Sequence, residues 1–181
     1  FSCLPFIDKN TSSNCLGKAR ERYNSIISSK KGDNVFIGLT WYSKKLIDEK
    51  GKEYFDKNFE LRKKSLDFLI EELKKNKKNV ILIGPTPKPN YDFASEYSRQ
   101  LIFNGDKHKV DEDRKKFDME YADIIKYYEN KLGKNFIQPH KKLCDEKKCY
   151  FADKKGALFS DGNHLSKYGS MKMLPLFHDV N

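Results

Sequence analysis

The 181-residue chain has no apolar run approaching the length of a membrane-spanning helix, which excludes a helical bilayer span within it. Its first residues, Phe1 to Pro5, lack the charged and hydrophobic regions of a secretion signal. No initiator methionine stands at position 1, and the abrupt start on Phe-Ser-Cys sets the expectation of a piece of a longer protein. Arginine-rich and aromatic-interleaved patterns that track nucleic acid are absent too. The formal net charge of +10 comes from lysines scattered among glutamates and aspartates through every predicted helix. That distribution reads as a solvated surface, so no nucleic-acid partner is expected, while long-range attraction to an acidic polysaccharide stays open.

Cysteine is sparse: Cys3 and Cys15 lie near the start, Cys144 and Cys149 near the end. The even number and the short loops fit two local disulfides in an oxidising compartment outside the cytoplasm, although three pairings are formally possible. Unpaired buried thiols are one alternative and a zinc site another. The gap between Cys144 and Cys149 suits a metal knuckle, but Cys3 and Cys15 stand too far apart to be its usual partner, and no metal is expected. With 38% hydrophobic and 13% aromatic residues, the chain is long enough for one domain with a real core.

Apolar spacing alternates between helix and strand. Lys18 to Lys30 carries Ala19, Tyr23, Ile26 and Ile27 at helical spacing, and Asn34 to Leu39 reads as a buried strand. Phe59 to Lys75 repeats the order with Leu66, Leu69, Ile70 and Leu73 on one face, before a strand from Asn79 to Gly84 and a loop from Pro85 to Pro89. A third helix from Asp111 to Lys131 turns Phe117, Tyr121, Ile124, Ile125 and Tyr128 inward, and Asn135-Phe136-Ile137 follows as strand. Helix then strand, three times over, predicts parallel crossovers in an α/β fold, a three-layer α/β/α sandwich with a mainly parallel sheet. Ligand groups in such sheets gather at the carboxyl edge. Gly38-Leu39-Thr40-Trp41, Gly84-Pro85-Thr86-Pro87 and the loop carrying Asp161 and His164 are the segments predicted to fall there.

The last of these carries the chemistry. Asp161 and His164 stand three positions apart behind a short apolar run, and a carboxylate close to an imidazole fixes its tautomer and stabilises the imidazolium during proton transfer. The plainer alternative is an Asx-turn at Asp161 with His164 in the first turn of a helix. Trp41 is open between a packed aromatic and a sugar-stacking ring. Gly84 and Pro85 read as strand-ending punctuation. His140, His108 and His178 read as exposed from their polar or terminal settings. Ser2, Ser160 and Ser166 lack a nucleophile-elbow context.

The run Asp161-Gly162-Asn163-His164-Leu165-Ser166, with Gly169 soon after, resembles the last block of SGNH (GDSL-type) esterases and acyltransferases. Paired cysteines at both ends, Ile83-Gly84-Pro85 after a strand and Trp41 closing another are similar to one branch of them, the SGNH domain fused C-terminally to membrane-bound acyltransferase-3 proteins that O-acetylate bacterial surface polysaccharides. The resemblance extends over nearly the whole chain and implies a flavodoxin-like SGNH fold, with 1–181 a single domain that is N-terminally incomplete.

What the resemblance implies for function follows residue by residue. His164 is the expected general base and Asp161 its orienting carboxylate, serving a serine that attacks an acyl ester. The family's serine sits in a Gly-Asp-Ser block upstream of the segment that Cys3-Leu4-Pro5 resembles. No Gly-Asp-Ser occurs here, so the serine is expected upstream of Phe1 and this piece alone is expected to be inactive. Where typical members present Gly-x-Asn-Asp, this chain has Gly38-Leu39-Thr40-Trp41, so Gly38, Thr40 and Trp41 are the expected oxyanion and substrate-binding residues, through backbone N–H groups and the Thr40 hydroxyl. The implied partners are a surface polysaccharide or other glycan and an N-terminal membrane acyltransferase domain of the same protein, which delivers the acetyl group. No cofactor is expected. The implied place is the periplasmic or extracellular face, tethered to the bacterial inner membrane. An SGNH carbohydrate esterase or deacetylase and a catalytically inactive glycan-binding module are the alternatives.

Overall fold

Apolar residues that switch between helical and strand spacing fold here as mixed α/β, in two units, Phe1–Ile83 and Gly84–Asn181. The computed structural model describes residues 2–3, 21, 23–47, 53–89, 93–104, 111–178 and 180. Among these, no helix is long and apolar enough to cross a membrane.

In the first unit, residues 23–28 form helix α1, and a turn through Gly32, at φ 85°, leads towards strand β2 (Asn34–Ile37). Only glycine takes that left-handed backbone without cost. The short strand β1 (Ser2–Cys3) lies parallel to β3 (Lys45–Ile47), and β3 pairs antiparallel with β4 (Glu53–Phe55). Helix α2 (Glu60–Lys75) then returns the chain to β5 (Asn79–Ile83), which lies parallel to β2 with Asn34 opposite Asn79 and Ile37 opposite Leu82. Leu66, Ile70 and Leu73 of α2 and Val80, Ile81 and Leu82 of β5 are buried, each contributing about 1.5–3 kcal/mol of apolar transfer. The buried Lys78 ammonium donates to Ser29 O, Ser29 Oγ and Lys30 O, tying the end of α1 to the start of β5.

The second unit opens with α3 (Phe93–Asn104). Strand β6 (Asp111–Asp113) pairs antiparallel with β8 (Lys148–Tyr150), and α4 (Arg114–Leu132) runs on to β7 (Phe136–Ile137) through one 3-10 turn. Residues 111–113 thus correct the expectation of a helix from Asp111. Asp113 is extended at φ −60°, ψ 125°, and its side chain accepts the Lys115 N–H at 2.9 Å, so it caps the helix and leaves its neighbours to the strand ladder. The buried stripe of α4 is Phe117, Tyr121, Ile124, Ile125 and Tyr128, as its spacing predicts.

Short elements follow: α5 (His140–Leu143), the hairpin β9 (Ala152–Asp153) with β10 (Gly156–Ala157), and α6 (Lys167–Met173). Cys144 and Cys149 are joined by a disulfide. The Cys3–Cys15 pairing involves Cys15, outside the described residues, where His108 also lies. His140 is corrected from exposed to buried: Pro139 starts α5 and turns the imidazole onto the Phe117 ring, 5.3 Å between centroids. Phe93, Leu143, Phe151, Leu158, Phe159 and Met173 form the core beneath the loop that follows β10.

Candidate active site

Leu158 and Phe159 are fully buried, so the loop that follows them is anchored by its own apolar stem. Phe159 bridges Leu165, and Ser160 N–H closes the loop onto His164 O at 2.9 Å. Ser166 N–H donates to Leu158 O at 2.9 Å and its hydroxyl to Ala157 O at 2.6 Å. Ser166 Oγ also accepts the Gly169 N–H at 3.0 Å, which makes Ser166 the N-cap of α6. His164 therefore precedes the helix instead of lying in its first turn.

Within this clamp Asp161 divides its oxygens. Oδ1 accepts the backbone N–H groups of Asn163, at 2.7 Å, and His164, at 2.8 Å, which is the Asx-type turn. Oδ2 meets His164 Nδ1 at 2.8 Å. The turn and the carboxylate–imidazole pair are thus parts of one arrangement. The imidazole bond first, and the two N–H donors after it, hold the Asp161 carboxyl down at about 2. An ionised carboxylate only accepts, so Nδ1 carries the proton and Nε2 is left as the accepting nitrogen. The His164 side chain is 77% exposed, which leaves Nε2 accessible.

Lys88 is a neighbour that sequence reasoning passed over. Its ammonium makes a long 3.4 Å contact with Asn163 Oδ1, between the two members of the pair. The signal available was only that its proline-rich segment follows a strand. Gly84, which starts that segment, donates its N–H to Ile137 O at 2.8 Å. A Cβ there would stand 2.7 Å from the Phe136 ring, so the position is closed to larger residues.

Gly38, Thr40 and Trp41 belong to the first unit. Gly38 and Thr40 are exposed after β2, whereas Trp41 is only 4% exposed. Its Nε1 donates to Ile83 O at 2.9 Å and its ring packs against the Phe59 ring with centroids 6.1 Å apart, so it is a packed aromatic. Arg62, which the sequence reading also missed, donates through Nη1 to Thr40 O and Trp41 O at 3.0 Å each and through Nη2 to Ser43 O. Its signal was an arginine at the head of the apolar stripe that continues through Leu66, Ile70 and Leu73.

The comparisons with known proteins bear on this geometry. A family model described as "SGNH domain (fused to AT3 domains)" matches residues 1–179. The solved periplasmic domain of a lipopolysaccharide acetyltransferase from Salmonella ser. Paratyphi A is similar in fold, with a TM-score of 0.63 at 19% identity over 96% of this chain. The match covers 65% of that structure's length. No curated protein sequence matches the chain.

Proposed function

Because the chain belongs to the family of SGNH domains fused to AT3 domains, we propose that it carries the His–Asp part of a Ser-His-Asp site for O-acetyl transfer to a cell-surface polysaccharide. His164 Nε2 takes the proton of a serine hydroxyl supplied from upstream of Phe1. That oxygen attacks the carbonyl of an acetyl ester or thioester, the donor's alcohol or thiol leaves with the proton, and an acetyl-serine remains. A sugar hydroxyl then gives its proton to Nε2, accepts the acetyl group, and the proton returns to the serine. The observation that carries the reading is the 2.8 Å contact between Asp161 Oδ2 and Nδ1 of an imidazole whose other nitrogen is accessible.

In this reading, residues 1–181 are one N-terminally incomplete domain. Gly38, Thr40 and Trp41 take the oxyanion and substrate-binding role that the family's pattern gives their positions, Trp41 through its backbone N–H and not through its packed ring. The acetyl group comes from the membrane acyltransferase domain of the same protein, with no further cofactor, and the domain works on the periplasmic face. The acetyltransferase name and the periplasmic setting of the Salmonella protein support the choice of chemistry and place.

The test is to follow radiolabelled acetyl in the intact protein with a lipopolysaccharide-derived oligosaccharide as acceptor, beside His164→Ala. Label on the sugar that vanishes in the variant is expected. Label released only as acetate identifies an esterase. Oligosaccharide binding without any turnover identifies a glycan-binding module.

A further inference from the structure

A guanidinium taken out of water has five N–H donors to satisfy. Arg62 is only 2% exposed, and both of its Nη atoms donate to one short loop, Nη1 to Thr40 O and Trp41 O at 3.0 Å each and Nη2 to Ser43 O. Asp56, also buried, holds the start of the same helix: Oδ2 accepts the Arg62 N–H at 3.0 Å and Oδ1 the Leu61 N–H at 3.1 Å. The guanidinium carbon lies 5.9 Å from the Trp41 ring centre and 5.5 Å from that of Phe59. Phe59 takes the left-handed backbone, φ 61° and ψ 15°, which a bulky residue keeps only where its surroundings over-determine it. Trp41 Nε1 on Ile83 O ties the middle of the loop to the end of β5. A planar fork reaches several carbonyls at once, whereas a lysine at this position would bring one point charge.

We propose that Arg62 is a positioning residue for the reaction: by holding the carbonyls of Thr40, Trp41 and Ser43 it sets the peptide planes of the loop after β2, and with them the surface that loop offers to the acyl group. The proposal rests on the reading of Gly38, Thr40 and Trp41 as the oxyanion and substrate-binding side.

The test uses the intact protein labelled with 5-fluorotryptophan, the Trp41 resonance being assigned by its loss in Trp41→Phe. Arg62→Lys and Arg62→Ala are expected to displace that resonance and to lower kcat for acetyl-ester cleavage about 10–100-fold with KM little changed. Millimolar guanidinium is expected to restore kcat in Arg62→Ala and not in Arg62→Lys, whose side chain fills the space. Should Arg62→Ala fail to fold, Arg62→Lys carries both readouts. An unmoved Trp41 resonance, or a moved one with wild-type kcat, overturns the proposal. If His164→Ala keeps its turnover, the underlying reading fails instead, whatever the Arg62 variants do.

Discussion

Asp161 uses one oxygen to build the turn and the other to orient the imidazole, so an amide at this position separates the two tasks. In Asp161→Asn the amide oxygen still accepts the two backbone N–H groups, but the NH₂ faces Nδ1. Nε2 must then carry the proton and can no longer accept one, while the turn stays intact. We expect kcat to fall on the order of 10⁴-fold while the melting temperature drops only by the small contribution of an exposed carboxylate–imidazole pair. Wild-type kcat in this variant would show that the pair does not act as a relay. The carboxyl at about 2 lies below its ordinary 3.8, so the stability it lends is present above roughly pH 4 and disappears as pH drops through 2. Asp161 thus stays ionised throughout any practical assay, and an acid limb in the rate profile is expected to belong to another group.

Helix α6 follows the loop and anchors its far side. A Cβ on Gly169 would lie 1.9 Å from Leu158 O, a clash with backbone that no rotamer relieves. Gly169→Ala is expected to cost about 3 kcal/mol in denaturant unfolding. Ser166→Ala removes the cap bond to Gly169 and the bond to Ala157 O, with an expected loss of about 1–2 kcal/mol. A midpoint unchanged in both would mean that α6 is not docked through these atoms. Ser166, which lacks a nucleophile-elbow context, is therefore a structural cap.

Elements differ in how legibly the chain announces them. Helix α2, helix α4 and strand β5 were legible because each repeats its apolar period over several residues. Strand β6 was not, since Asp111-Glu112-Asp113 has no apolar alternation and reads as the acidic start of a helix; only its pairing with β8 makes it a strand. β9 and β10, two residues each, are too short to show a period. The Asp161–His164 pair was legible because three residues of local chain suffice to bring the groups together. The roles of Arg62 and Lys88 depend on partners 22 and 75 residues away, which spacing along the chain does not reveal.

At the scale of the whole molecule, His140 links stability to pH. Its Nδ1 is buried without a hydrogen-bond partner among the described residues. Burial, with Arg114 and Lys141 adding repulsion against the attraction of Asp118 and Glu129, pushes the imidazole down from 6.5 to about 4. The unfolded chain therefore binds this proton first. Its effect on stability is neutral above about pH 6.5, increasingly unfavourable as pH falls towards 4, and constant below. Discounted for solvent screening, the loss is roughly 2 kcal/mol. Urea unfolding at pH 7.5 and 4.5 is expected to show it in the wild type, with a smaller loss in His140→Phe. Equal losses in the two proteins would exclude His140 as the source.

Whether Asp161 and His164 work as one unit is read from kcat/KM for acetyl-ester cleavage in the intact protein and its His164→Ala, Asp161→Asn and doubly substituted forms. The expected result is that His164→Ala alone falls to the level of the double variant, the second substitution adding nothing once the base is gone. Wild-type turnover in His164→Ala would contradict the account.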